Sequence, residues 1–179
     1  MNLRYLLMAL IIALVSGCGG TSGQGSPGSG SGGGSGSATS SPASVDYNAP
    51  ANLDACKLLT LGDATTLLGA TATAASTDRT GCSYHDPVSG KIISLVLAGA
   101  IVFDANLRAL KATNQTVEDV TGLGDAAYYQ LSGADAILHV KKSGADLTIT
   151  ALVVGGSPET VDQEKASENQ IAQLAVARM

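Results

Sequence analysis

Three cysteines carry the most specific chemistry in this 179-residue chain: Cys18, Cys56 and Cys82. A thiol can be alkylated, oxidised to a disulfide or bound to a metal, and spacing separates these uses. Cys56 and Cys82 are not in a Cys-x-x-Cys arrangement, which argues against a redox-active pair. The two histidines, His85 and His139, have no second ligand at close metal spacing, so no metal site is expected. His85 sits beside Asp86 in a turn. Ser, His and Asp all occur, yet there is neither a Gly-x-Ser-x-Gly elbow nor a Ser-x-x-Lys pair, so no catalytic residue is assigned. The run Gly122-Leu123-Gly124-Asp125-Ala126-Ala127 fits Gly-x-Gly-x-x-Ala. A dinucleotide site needs a helix after it, whereas Tyr128-Tyr129 favours a strand, so these glycines set a turn. No cofactor is implied. The sequon Asn114-Gln115-Thr116 is read as chance.

Cys18 owes its meaning to what precedes it. Arg4 lies in a short n-region, and Leu6 to Val15 is ten consecutive apolar residues, the length of a secretory h-region and too short to span a bilayer. Val15-Ser16-Gly17-Cys18 resembles the bacterial lipoprotein box. That resemblance implies cleavage after residue 17, a diacylglyceryl thioether on Cys18 and acylation of its new amino group. Two or three acyl chains, at about 0.8 kcal/mol per methylene, hold a protein stably at a membrane where one chain does not. Gly19 follows Cys18, with no Asp there. The expected location is the cell envelope, on the outer face of the plasma membrane or in the outer membrane, with the domain extracytoplasmic. In that oxidising compartment the two remaining thiols, Cys56 and Cys82, are expected to form a disulfide. The closed loop of about 27 residues makes this staple worth roughly 3.5 kcal/mol.

Residues 19–45 hold ten Gly and nine Ser without a single charge. Such a tract has nothing to bury and is expected to be a disordered tether, with an r.m.s. span of roughly 30 Å. Residues 46–179 then form one domain with nine basic and fifteen acidic side chains, net −6. That balance argues against phosphate-neutralising nucleic-acid binding, and only six aromatics in the whole chain, none of them Trp, argue against base stacking or aromatic sugar platforms.

The elements that must position these residues follow from pattern. Asn52 or Asp54 caps a short helix through Leu59, Thr60-Leu61-Gly62-Asp63 reads as a capping box, and Gly69 stops that turn. Residues 71–78 and 82–85 are weakly extended, and 91–98 is a strand. Phe103, Leu107 and Leu110 predict a helix over 104–112 capped by Asp104. Residues 126–130, 136–142 and 146–154 read as an antiparallel meander. In its middle strand Ala136, Leu138 and Val140 face the core, while Ile137, His139 and Lys141 face water. Tyr128 and Tyr129 point to opposite faces, so at most one is expected in the core. Ser157 and Pro158 open a last helix, with Val161, Ile171, Leu174 and Ala175 as a stripe that is thin in the middle. The order α-β-β-α-β-β-β-α gives an α+β fold, about five antiparallel strands covered by about three helices.

With these residues in view, the domain resembles a family of bacterial, largely actinobacterial, lipoproteins of unknown function. The shared landmarks are Asp54-Ala55-Cys56-Lys57-Leu58-Leu59-Thr60, Leu67-Leu68-Gly69, Gly81-Cys82-Ser83-Tyr84 and Gly122 to Tyr128. The resemblance supports the Cys56–Cys82 pairing and carries over no catalytic residue. It also implies a sheet-plus-helices fold similar to the PsbP-like sandwich.

The function expected from these readings is an anchored binding or interaction module without catalysis. Its partners are the membrane, through acyl chains such as palmitate on Cys18, and an envelope protein. The alternative is a carrier of an apolar small molecule or lipid, with a pocket lined by Leu95, Leu97, Phe103 and Leu138. A third class is a hydrolase without a recognised motif.

Overall fold

The capping signals at the start of the domain act as their residue types demand. The computed structural model describes residues 47–133, 135–154 and 159–179. Asp54 accepts from the Cys56 N–H at 3.0 Å and opens α1 (Ala55–Leu58). Thr60 and Asp63 form a reciprocal box on α2 (Leu61–Leu68). The Thr60 N–H donates to Asp63 at 2.8 Å, and the Asp63 N–H donates to the Thr60 hydroxyl at 3.3 Å. Two donors that a helix start leaves free are thereby satisfied. Gly69, at a φ of 125°, ends the helix.

Three strands follow: β1 (Thr73–Thr77), β2 (Gly81–His85) and β3 (Lys91–Gly99). After α3 (Ala100–Ala112) come β4 (Thr116–Val120), β5 (Ala126–Ser132), β6 (Asp135–Lys142) and β7 (Ala145–Val153), and α4 (Val161–Val176) closes the domain. All pairings are antiparallel, in the order β1-β2-β3-β7-β6-β5-β4. Two meanders, β1–β3 and β4–β7, thus join into one sheet through β3 and β7.

The α+β class holds, with seven strands and four helices among the described residues instead of about five and three. β4, whose TVEDV sequence puts Glu118 and Asp119 at a sheet edge, falls where pattern marks no extended segment. The helix expected from Asp104 starts instead at Ala100, because β3 runs directly into it through Gly99. Its first-turn N–H groups find no side-chain cap: Ala100 N donates to the Gly144 carbonyl at 2.9 Å. Asp104 is then free to pair with Lys141. The cap of α4 is Thr160, in a box with Gln163; Ser157 and Pro158 lie outside the described residues.

Register assigns each side chain to a face. Ile93, Leu95 and Leu97 of β3 share a face with Ala151, Ile149 and Leu147 of β7, and with Leu138 and Val140 of β6. This first face lies under α1, α2 and α4 and holds the main core with Cys82, Tyr84 and Ile171. Among the described residues, α3 is the helix on the second face, where Phe103 meets Tyr128 edge-on at 4.9 Å. It covers one end and leaves the rest half-exposed.

This layering corrects two expectations. His139 is 5% exposed, not on a wet face, because α3 covers that end of the sheet. Tyr128 and Tyr129 do alternate, yet both are buried, since each face has a helix above it at that point.

Candidate functional site

The thiols come first. Cys56 and Cys82 are joined, with a Cα–Cα distance of 5.2 Å, so α1 is tied to β2 across 26 residues of sequence. Beside the bridge the Tyr84 hydroxyl donates to the Leu59 carbonyl at 2.6 Å, a second link between the same layers. Burial raises the Tyr84 hydroxyl pKa above the usual tyrosine value, and Asp63 and Asp54 add to the effect. Cys18, the apolar run before it and the tether of residues 19–45 lie outside the described residues.

On the second face, three cross-strand rows can be read from the register. Ser76, Ser83, Ser94 and Thr150 align across β1, β2, β3 and β7. On one side of this hydroxyl row run His85, Ile92 and Leu152. On the other run Gly81, Val96, Thr148, His139 and Tyr128. Asp119 of β4 closes the last row opposite Tyr128 at the sheet edge; no other Asp, Glu, Lys or Arg stands in these rows, although the domain as a whole is acidic. Val96 is 48% exposed, while Ser94, Thr150, Ile92 and Leu152 are half-buried. Across β1, β2, β3 and β7 the platform is mixed aliphatic and hydroxylic, with no carboxylate or ammonium group in these rows.

Its border under α3 is polar and buried. The His139 ring stacks on Tyr128 with centroids 4.8 Å apart. His139 Nδ1 lies 3.5 Å from Asp146 Oδ1 and 3.3 Å from the Thr148 hydroxyl. Asp146 is 1% exposed, and among the described residues neither its carboxylate oxygens nor the Tyr128 hydroxyl has a hydrogen-bond partner. Burial, then the Asp146 charge, pushes the Tyr128 hydroxyl far above the ordinary tyrosine range. A hydrolytic triad needs an acid on one imidazole nitrogen and a nucleophile on the other. Here Asp146 and Thr148 address the same nitrogen. Lys141 bridges the border to α3, with both Asp104 oxygens within 2.9 Å of Nζ.

Under α4 the first face has its own polar pair, Glu164 and Glu168, one helical turn apart and 6% and 0% exposed. They occupy the thin middle of the stripe. Burial raises both, Glu168 to about 8 despite its hydrogen bond from the Ala151 N–H. Tyr129 above them is pushed up to about 12 by burial and by Glu168.

The other expected residues are placed as follows. His85 ends β2, separated from the His139 strand by β3 and β7. Its neighbour Asp86 is held well below the usual carboxylate range by the Ser89 and Thr71 hydroxyls, as the cap of the turn before β3. Among the described residues no group of three His, Cys, Asp or Glu gathers as metal ligands. Leu95, Leu97 and Leu138 belong to the first-face core and Phe103 to the second face, so these four do not line one pocket. A small cleft does occur between α2, α4 and the paired ends of β3 and β7, where Lys91 meets Glu159 at 2.8 Å.

Pattern reading missed Asp146, Glu164, Glu168 and the hydroxyl row. A signal existed for the glutamates: Val161, Glu164, Glu168, Ile171 and Ala175 repeat at three- and four-residue spacing, the stripe of a helix's buried face. Comparison with family models, curated proteins and solved structures gives no match to this chain.

Proposed function

We propose that this chain is a lipid-anchored protein of the bacterial cell envelope whose domain works by binding an envelope protein, not by catalysis. The observation that carries the reading is the Cys56–Cys82 bridge. It uses two of the three cysteines and leaves Cys18, which stands behind ten apolar residues and Ser16-Gly17. A disulfide-stapled small domain is typical of exported proteins. Among the described residues no helix is long and apolar enough to cross a membrane, and acylation of Cys18 supplies the attachment in this reading. The kinship with actinobacterial lipoproteins and with PsbP-like sandwiches is part of the same proposal.

The binding role is supported by the second face. Across β1, β2, β3 and β7 its rows carry no carboxylate or ammonium group, so a partner can cover that area without desolvating charge. The polar groups that could serve catalysis are under helices: His139 and Asp146 beneath α3, Glu164 and Glu168 beneath α4.

Replacing Cys18→Ala tests the anchor. The variant is expected to leave the membrane fraction, and full membrane retention contradicts the reading. A photocrosslinking residue at Val96, on the open rows, is expected to trap a discrete envelope protein. The same residue at Val88, 79% exposed on the β2–β3 turn, is expected to trap none. Identical adducts from both positions contradict a specific face.

A further inference from the structure

The hairpin of β6 and β7 is interrupted where α4 crosses it. From the Ser143–Gly144 turn the strands pair regularly, Lys142 opposite Ala145 and onward to Leu138 opposite Ile149. Pairing stops there, yet β6 extends back to Asp135 and β7 on to Val153. In an antiparallel ladder alternate pairs exchange both backbone bonds. Counting from the turn, the next such pair is Ala136 with Ala151. Their N–H groups go instead to α4: Ala136 N donates to Glu164 Oε2 at 2.9 Å, and Ala151 N to Glu168 Oε1 at 3.2 Å. Two carboxyl groups one turn apart thus replace a missing rung of the sheet. Glu168 Oε2 is buried and has no hydrogen-bond partner among the described residues.

We propose that Glu164 and Glu168 form a proton-operated latch. With a proton on the pair, α4 bridges the parted strands; when it is lost, two like charges in the gap loosen α4 and free β6 and β7 to complete their ladder. The surroundings offer the second charge little relief. On α4 itself, Lys165 is turned to Glu118 of β4 at 2.5 Å, over the Tyr129 ring. Glu159, before α4, is paired with Lys91 of β3. From β6 comes Asp135 and from β5 the Tyr129 hydroxyl, neither of them a cation, while Lys142 of β6 meets α4 only at its last residue, donating to the Val176 carbonyl at 2.6 Å, two turns beyond Glu168. On α1, Lys57 is 83% exposed and near Asp54. Asp146 of β7 belongs to the opposite face. Burial accordingly favours the neutral form of both glutamates, with Glu168 raised to about 8.

The test is a pH titration of the intact protein, following the side-chain carboxyl carbons by NMR together with the Ala136 and Ala151 amides. Glu168 is expected to titrate near pH 8, and both amides to shift with the same midpoint. In Glu164→Gln the Glu168 midpoint is expected to fall. The melting temperature of the parent protein is expected to drop by about 5 °C or more between pH 5 and pH 9, and Glu168→Gln to flatten that drop. A Glu168 midpoint at about 4–5, the ordinary glutamate range, overturns the proposal, as do amide signals that ignore the titration. The parent titration decides even if Glu168→Gln does not fold.

Discussion

Gly122 and Gly124 both have positive φ, 82° and 60°, but only one is also crowded. A Cβ at Gly124 would stand 2.6 Å from the Lys141 carbonyl and 2.9 Å from Val140, whereas a Cβ at Gly122 would meet nothing within 4 Å. Gly122→Ala is therefore expected to cost about 1–2 kcal/mol from the left-handed backbone alone, and Gly124→Ala clearly more, because backbone must shift. Denaturant unfolding of the two variants checks the difference; equal losses would contradict it. Tyr84 shows a different residue-scale effect. Its ring is 2% exposed, and its hydroxyl is a partner of the Leu59 carbonyl. Tyr84→Phe keeps the packing and orphans that acceptor, an expected loss of about 1–3 kcal/mol.

At the scale of elements, local chemistry was legible and layering was not. Thr60 with Asp63, Gly69, and the alternation of Ala136 to Lys141 could be read directly, because each depends on neighbours in sequence. The fate of His139 could not. Whether an alternating strand has one wet face depends on which helix crosses it, and α3 reaches His139 through Phe103 and Tyr128, from outside its strand. β4 was obscured because an edge strand tolerates Glu118 and Asp119, which break the apolar signature. The thin stripe of α4 was visible as polar, but the missing rung that receives its two glutamates exists only once β6 and β7 are placed. The disulfide is the element-scale staple: it ties α1 to β2, at the end of the sheet away from the β4–β7 meander. The double variant Cys56→Ala with Cys82→Ala is expected to lose about 3 kcal/mol in equilibrium unfolding. Hydrogen exchange in this variant should rise first in α1, α2 and β2; equal loosening of β5 and β6 would contradict a local staple.

For the whole molecule, opposed titrations set a preferred pH. Arg178, then Thr60, holds the Asp63 carboxyl far below the usual carboxylate value, so that contribution is present above about pH 4 and is lost as pH falls. Glu168 acts in reverse. The unfolded chain releases its proton near 4.5 and the folded one near 8, so the folded state binds more protons in between, and stability falls as pH rises through that window. Maximum stability is expected near pH 5, read from chemical denaturation across pH; a maximum at pH 8 would contradict it. In the proposed function the disulfide-stapled domain is held to a membrane by its first mature residue and offers the aliphatic and hydroxyl rows of β1, β2, β3 and β7 to a partner. Mass spectrometry of the N-terminal peptide from the membrane-extracted protein tests this most directly. A mature chain beginning at Cys18, with a diacylglyceryl thioether on its sulfur, is the predicted result. An unmodified Cys18 within a longer peptide would contradict it.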